Sequence, residues 1–250
     1  MTLYFIGIGL DNEQDITVKG LEIIKKSDKI FLESYTSKLN CPIENLEKLY
    51  GKKVIIANRE LVEKTPDEIL DSTKDIAFLV IGDALGATTH LDLMIRAKQK
   101  NIPTKLIHNT SIINAVGVTG LELYKFGKTT SMPFFEPNFI PQTPYNILSE
   151  NLSIGAHTLI LLDIKTDQNR FMTINQAIKQ LLELENKLEK HIFSENTICI
   201  GCARLGANSQ TLKAGTAKEL LNFDFGAPLH SLIIPGKLHF MEEEAIELLK

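Results

Sequence analysis

An apolar run at residues 78–81 ends in Gly82-Asp83 and continues through Gly86, Ala87, Thr88 and Thr89 to His90. The run reads as a buried strand that feeds a loop at its carboxyl end. In open α/β sheets that edge is where ligands bind. Gly82, Gly86 and Ala87 let a ligand approach the backbone, Asp83 adds a charge, and Thr88 or Thr89 is placed to cap a following helix. A second junction of the same kind follows residue 108. Asn109-Thr110-Ser111-Ile112 makes a polar turn into a helix whose free N–H groups and positive dipole end point outward.

Other constellations are weaker. Gly7-x-Gly9 after a first strand suggests a dinucleotide fold, with Glu33 in the place of a ribose-binding acid. The third glycine is missing, because position 12 is Asn. The chain contains no P-loop, no Gly-x-Ser-x-Gly elbow and no His-Glu-x-x-His pattern. Cys199 and Cys202 have metal-like spacing. They lie in an apolar strand, where positions three apart face opposite ways, and a second ligand pair is absent. They read as packed core thiols, with no metal site. The six His are scattered and mostly surface or supporting residues. His230 sits in an otherwise apolar strand, where a satisfied core imidazole and a ligand contact are equally good readings. No nucleophile, base and orienter triad is legible. Small-residue loops at strand ends suit a bulky cofactor and a reaction that needs alignment.

The positioning elements alternate. Strands are expected at residues 3–8, 29–34, 54–57, 76–81 and 104–108. Helices are expected after Asp15 or Thr17, from Pro42 to Gly51, from Thr65-Pro66, around Leu91, Met94 and Ile95, and after Ser111. This order argues for a parallel sheet with helices on both faces. Residues 1–110 form one α/β domain and 111–250 a second. Residues 127–145 fit neither period; residues 132–145 hold four prolines and four aromatics. They could be a mobile loop offering aromatics to a partner, but a buried inter-domain segment is preferred, since exposed clustered aromatics are a liability. Beyond them, helices are expected at 145–151, 173–189, from Thr216 and at 240–249. Strands are expected at 158–163, 197–203, around Leu212 and at 228–235.

Composition is that of an ordinary globular protein with a sizeable core. Net charge is −4, with no basic face to suggest nucleic acid. No apolar run can span a bilayer, and the amino terminus lacks the basic region of a signal peptide. Three Cys argue against a disulfide framework and fit a reducing cytoplasm.

Several stretches together resemble one family, diphthine synthase, within the tetrapyrrole-methylase-like methyltransferases. They are residues 4–10, 15–21, 32–37, 82–83 with 86–90, 108–121, 124–128, 157–164 and 229–236. Leu32-Glu-Ser-Tyr-Thr-Ser37 and the stretch from His108 to Leu121 look specific to diphthine synthase. The resemblance implies two α/β domains with the active-site cleft between them, usually in a homodimer. It implies S-adenosyl-L-methionine as cofactor and S-adenosyl-L-homocysteine as product. The implied substrate is the amino group of the modified histidine, 2-(3-carboxy-3-aminopropyl)-histidine, of translation elongation factor 2, a step of diphthamide biosynthesis. Archaeal members trimethylate the amine and eukaryotic members also methylate a carboxylate; the compact length looks archaeal. The alternatives are a related methylase for a small corrin-type substrate, a nicotinamide oxidoreductase and a binding module.

Carried onto matching positions, the resemblance puts cofactor contacts at Leu10, Asp83, Gly86, Ser111, Ile112, Leu162, Leu205 and His230. Leu10, Leu162 and Leu205 look like plain core without it. Position 84 is Ala where the family often has Pro, which loosens the loop in the unfolded chain. Methyl transfer needs alignment, exclusion of water and a deprotonated amine, and Asp83 with nearby carbonyls is expected to favour the cationic cofactor. No residue stands out as general base, which leaves bulk water to take the proton.

Overall fold

The computed structural model describes residues 2–71 and 73–250. Two compact units divide after Ala115. The first contains β1 (Leu3–Gly7), α1 (Val18–Lys26), β2 (Lys29–Glu33), α2 (Ile43–Tyr50), β3 (Ile55–Ala57), α3 (Arg59–Glu63), β4 (Ile76–Val80), α4 (Leu91–Gln99), β5 (Thr104–Ile107) and α5 (Ile112–Ala115). Its five strands are all parallel, in the order β3-β2-β4-β1-β5. β4 is buried along its whole length, as a central parallel strand covered on both faces must be. Alternation sorts its side chains. Ile76, Phe78 and Val80 join Phe5, Phe31, Val62 and Leu93 in one apolar layer. Ala77 and Leu79 join Ile6, Ile24, Leu32 and Leu46 in the other.

Local signals explain most helix ends. Thr17 accepts a hydrogen bond from Gly20 N and caps α1, while Gly51 ends α2 in the left-handed region. The helix expected from Thr65-Pro66 is only a 3₁₀ turn, Pro66–Glu68. The helix lies earlier, in α3, where Asn58 accepts from Leu61 N. Neither Thr88 nor Thr89 caps α4: His90 holds the cap position and makes no capping bond. Of the expected stripe of α4, only Met94 packs on the core. Leu91 and Ile95 are 60% and 48% exposed, and Leu93 and Ala97 are the buried pair. An i,i+4 pair of small and medium side chains lets α4 seat on the sheet, a choice set by what faces it.

The second unit contains β6 (Thr130–Met132), α6 (Thr143–Ser153), β7 (Thr158–Leu162), β8 (Ile164–Lys165), β9 (Arg170–Phe171), α7 (Ile174–Leu188), β10 (Ile198–Ala203), β11 (Thr211–Thr216), α8 (Ala217–Leu220), β12 (His230–Ile234) and α9 (Phe240–Glu247). Its main sheet runs β11-β10-β12-β7-β6 and is antiparallel except for β6 beside β7. Thr173 and Gln176 form a capping box at the start of α7, whose Ala177, Ile178, Leu181 and Leu184 are buried. Residues 127–145, expected to be irregular, contain strand β6; three residues are too few to show a period. Phe134 and Tyr145 are buried and Phe135 packs on the same core, while Phe139 is exposed. The aromatics are therefore mainly core of this unit. The short hairpin β8–β9 turns through residues 166–169, where Asn169 takes the left-handed conformation. Among the described residues no helix is long and apolar enough to cross a membrane.

Candidate functional site

In the first unit the carboxyl ends of β1, β4 and β5 adjoin, and backbone bonds tie their loops together. Gly9 N donates to Gly82 O at 3.2 Å, and Gly82 N donates to Gly9 O at 2.7 Å. Gly82 has φ +85°, which L side chains rarely adopt. A Cβ there would meet nothing nearer than the Leu10 side chain and the Thr110 carbonyl, both at 3.7 Å. Gly86 is the opposite case. A Cβ there would lie 2.6 Å from Ser111 Oγ, so this glycine is required for contact between the two loops.

Asp83 organises this edge. Its Oδ1 accepts from Leu85 N at 2.9 Å and Gly86 N at 3.1 Å. Its Oδ2 accepts from Asn109 N at 3.0 Å and lies 2.9 Å from His108 Nδ1. Burial works to raise this carboxyl, but the donors from Leu85, Asn109 and His108 outweigh it and hold the group below its ordinary range. Both oxygens are thus engaged by neighbouring loops, and any attraction to a cation acts through the remaining charge. Asp15 plays a matching part. Rather than capping α1, its Oδ2 accepts from Leu10 N at 3.0 Å and Asp11 N at 2.8 Å. The Asn109 amide closes the network by donating to Gly7 O at 3.1 Å and Asp15 O at 3.0 Å.

Leu10, Asp83, Gly86, Ser111 and Ile112 are therefore brought to one edge of the first unit. Ser111 Oγ accepts from Ile113 N at 3.3 Å, and Asn114 Oδ1 accepts from Ser111 N at 2.7 Å, so that helix turn is capped twice. Asn109, Asp15 and His108 were not among the expected site residues. A polar triplet before a helix resembles an ordinary turn until its partners at Gly7 and Asp83 are known.

Glu33 is not a ligand acid. Its buried carboxylate accepts from Tyr35 N at 2.7 Å and from Thr36 N and Oγ1. Burial, opposed by those donors, pushes its carboxyl up. His90 is buried between the Phe78 and Tyr35 rings, with both ring nitrogens unpaired. That burial pushes its imidazole down to about 4.

In the second unit Leu162 ends β7, Leu205 follows β10, and His230 opens β12 opposite Ala203. All three are buried. His230 Nδ1 accepts from Ile174 N at 3.4 Å, and its Nε2 lies 3.0 Å from Ala227 O. These partners fix a neutral imidazole with the proton on Nε2. Burial lowers its proton affinity. Arg204 clamps the preceding loop, donating to Phe225 O at 2.8 Å, Thr211 Oγ1 at 2.9 Å and Ser209 O at 3.0 Å. Cys199 and Cys202 are both buried. Burial pushes both thiols up, that of Cys202 to about 12. Among the described residues no group of three or more His, Cys, Asp or Glu is placed to hold a metal ion.

Comparison with known proteins accounts for the whole chain. Residues 2–221 match the model of the tetrapyrrole (corrin/porphyrin) methylases. A diphthine methyl ester synthase of Dictyostelium discoideum is 51% identical, with 99% of this chain and 97% of the relative covered. A diphthine synthase of Methanocaldococcus jannaschii is 49% identical, with 99% and 98% covered. Among solved structures, a protein of Entamoeba histolytica provisionally described as a diphthine synthase superposes with a TM-score of 0.93 at 44% identity, covering 100% of this chain and 98% of that one. Near-half identity over full length fixes topology and the strand-end loops together, so the chain belongs to the tetrapyrrole (corrin/porphyrin) methylase family, on the branch formed by the diphthine synthases.

Proposed function

We propose that the protein is an S-adenosylmethionine-dependent methyltransferase of diphthamide biosynthesis. It methylates the amino group of the 2-(3-carboxy-3-aminopropyl)-histidine of translation elongation factor 2. The observation that carries this reading is the match to diphthine synthases over 99% of the chain at about half identity. A corrin-type substrate is not favoured, because the closely similar relatives carry the diphthine names. Chain length does not separate archaeal from eukaryotic members, since 97% of the Dictyostelium relative and 98% of the Methanocaldococcus relative are covered.

The residues at the strand ends fit the cofactor. Gly82 holds the positive φ that turns the chain beside Leu10 and the Thr110 carbonyl, and Gly86 brings the Asp83 loop against Ser111. In this proposal Leu10, Asp83, Gly86, Ser111 and Ile112 of the first unit contact the cofactor, as do Leu162, Leu205 and His230 of the second. S-adenosylmethionine, when bound, supplies an electrophilic methyl on a sulfonium. The chain's part is to bind, align and exclude water. Backbone carbonyls and the ionised Asp83 favour positive charge, and the leucines supply apolar contact. A homodimer in the cytoplasm, with elongation factor 2 as protein substrate, completes the proposal. Labelled methyl transfer to elongation factor 2 carrying the amino-carboxypropyl histidine, followed by mass spectrometry, tests it. Transfer to that protein and not to precorrins is the expected result. Transfer to precorrins alone would overturn it, and the mass increment counts the methyls.

A further inference from the structure

His108 follows strand β5 and opens the loop that carries Ser111. Its ring is 70% exposed, yet its Nδ1 lies 2.9 Å from the Asp83 carboxylate, which is only 12% exposed. An ionised carboxylate can only accept, so Nδ1 donates its proton to Asp83, and in the neutral form of the ring the lone pair rests on Nε2, on the other side. Asp83 is itself immobilised by Leu85, Gly86 and Asn109. Asp83 is the charged group recorded against the ring among the described residues. Asp15, the next carboxylate in the network, is turned to the Leu10 and Asp11 amides.

No other histidine of the chain has this combination among the described contacts. His90 is buried with unpaired nitrogens. His157 is buried and held by Glu242 and Gly236 N. His230 is buried and held by Ile174 and Ala227. His239 caps α9 through Nδ1 and lies against Phe240. For His191 no carboxylate partner to the ring is recorded. An exposed imidazole oriented by a fixed carboxylate is the arrangement of a general base and its orienter.

We propose that His108 is a catalytic residue, the general base that takes the proton from the substrate ammonium, and that Asp83 is its positioning residue. This rests on the amine-methyltransferase reading. In each cycle His108 Nε2 takes one proton from R–NH₃⁺. The freed nitrogen pair then forms the N–C bond to the methyl while the C–S bond breaks and sulfur keeps both electrons. The positive charge passes from the sulfonium to the new ammonium. The imidazolium, stabilised by Asp83, releases its proton to solvent through its exposed face before the next methyl. Each N-methylation needs one such removal, so repeated transfer needs a base that resets.

Two measurements test this on the full chain. Long-range ¹H–¹⁵N NMR of histidine-labelled protein reads the tautomer without substrate. The expected result is that the neutral form of His108 carries its proton on Nδ1 in the wild type, and that Asp83→Asn loses that preference. The proton on Nε2 in the wild type would overturn the proposal. The second is methyl transfer to elongation factor 2. His108→Gln is expected to lower kcat roughly 10²-fold near neutral pH, with its acidic limb lost. Added imidazole is expected to restore part of the rate of His108→Ala. A far-ultraviolet circular dichroism spectrum and a cooperative urea transition as in the wild type are expected to show that the variants fold, and saturating S-adenosylmethionine keeps kcat independent of any loss of cofactor affinity. Wild-type kcat and pH profile in His108→Gln would overturn the base assignment alone. No transfer by the wild type would overturn the functional reading and the base with it.

Discussion

At the scale of single residues, Asp83 has the most concentrated set of consequences. Four donors converge on its carboxylate, and its loop carries Gly86 against Ser111. Asp83→Ala leaves those donors unpaired and frees the loop. One hydrogen bond to a charged group is worth about 1.5 kcal/mol, and 1.4 kcal/mol is about tenfold in affinity. S-adenosylhomocysteine binding measured by calorimetry is therefore expected to weaken by at least about tenfold. Binding equal to the wild type would remove Asp83 from the cofactor site. Asn109→Asp tests the network from the other side. The carboxylate would face the Gly7 and Asp15 carbonyls instead of donating to them. Cofactor affinity is expected to fall, although the side chain keeps its size.

At the scale of elements, buried ionisable groups tie loops and helices to the core and make stability fall with acid in two separate windows. His90 sits between Phe78 on β4 and Tyr35 beyond β2, and burial lowers its imidazole from 6.5 to about 4. The unfolded chain then binds the proton first, so stability is full above about pH 6.5 and falls as pH drops toward 4. The loss is roughly 3 kcal/mol. Urea unfolding between pH 7 and 4 is expected to show it, and His90→Phe to flatten it. Glu242 on α9 works lower. Its fully buried carboxylate binds His157 Nε2 at 2.9 Å and Glu122 N at 2.9 Å, and it pairs with Lys125. Burial works to raise this group, but Lys125 and the other donors hold it down at about 2. Its contribution is present above the usual glutamate range and is lost as pH falls from about 4.5 toward 2. Glu242→Gln leaves Lys125 without its buried partner. It is expected to lower unfolding free energy by about 3 kcal/mol, read from the urea midpoint at pH 7.

At the scale of the whole molecule, the functional reading separates two cofactor classes. Gly7-x-Gly9 followed by an acid at Glu33 imitates a dinucleotide site, but Glu33 is fully engaged by Tyr35 and Thr36. Calorimetry is expected to show binding of S-adenosylhomocysteine and none of NAD; tight NAD binding would overturn the assignment. Much of this was legible in the residue order. The runs at β1, β2 and β4 are continuous because a parallel strand is covered on both faces, and Thr17, Gly51 and Thr173 mark helix ends by local bonding alone. The stretches from Leu32 to Ser37 and from His108 to Leu121 carried the family. What the order could not show is anything that depends on partners distant in the chain. Whether Leu91 or Leu93 faces the sheet, whether Thr130–Met132 finds a parallel neighbour in β7, and whether Glu33 is free or spent all depend on such partners. The same holds for the Gly82-Asp83 loop. Local residue types announced a turn that a ligand could approach. Only the folding of β1, β4 and β5 side by side brought His108 and Asn109 to Asp83, more than twenty residues away in sequence, and turned that loop into a charged, oriented edge.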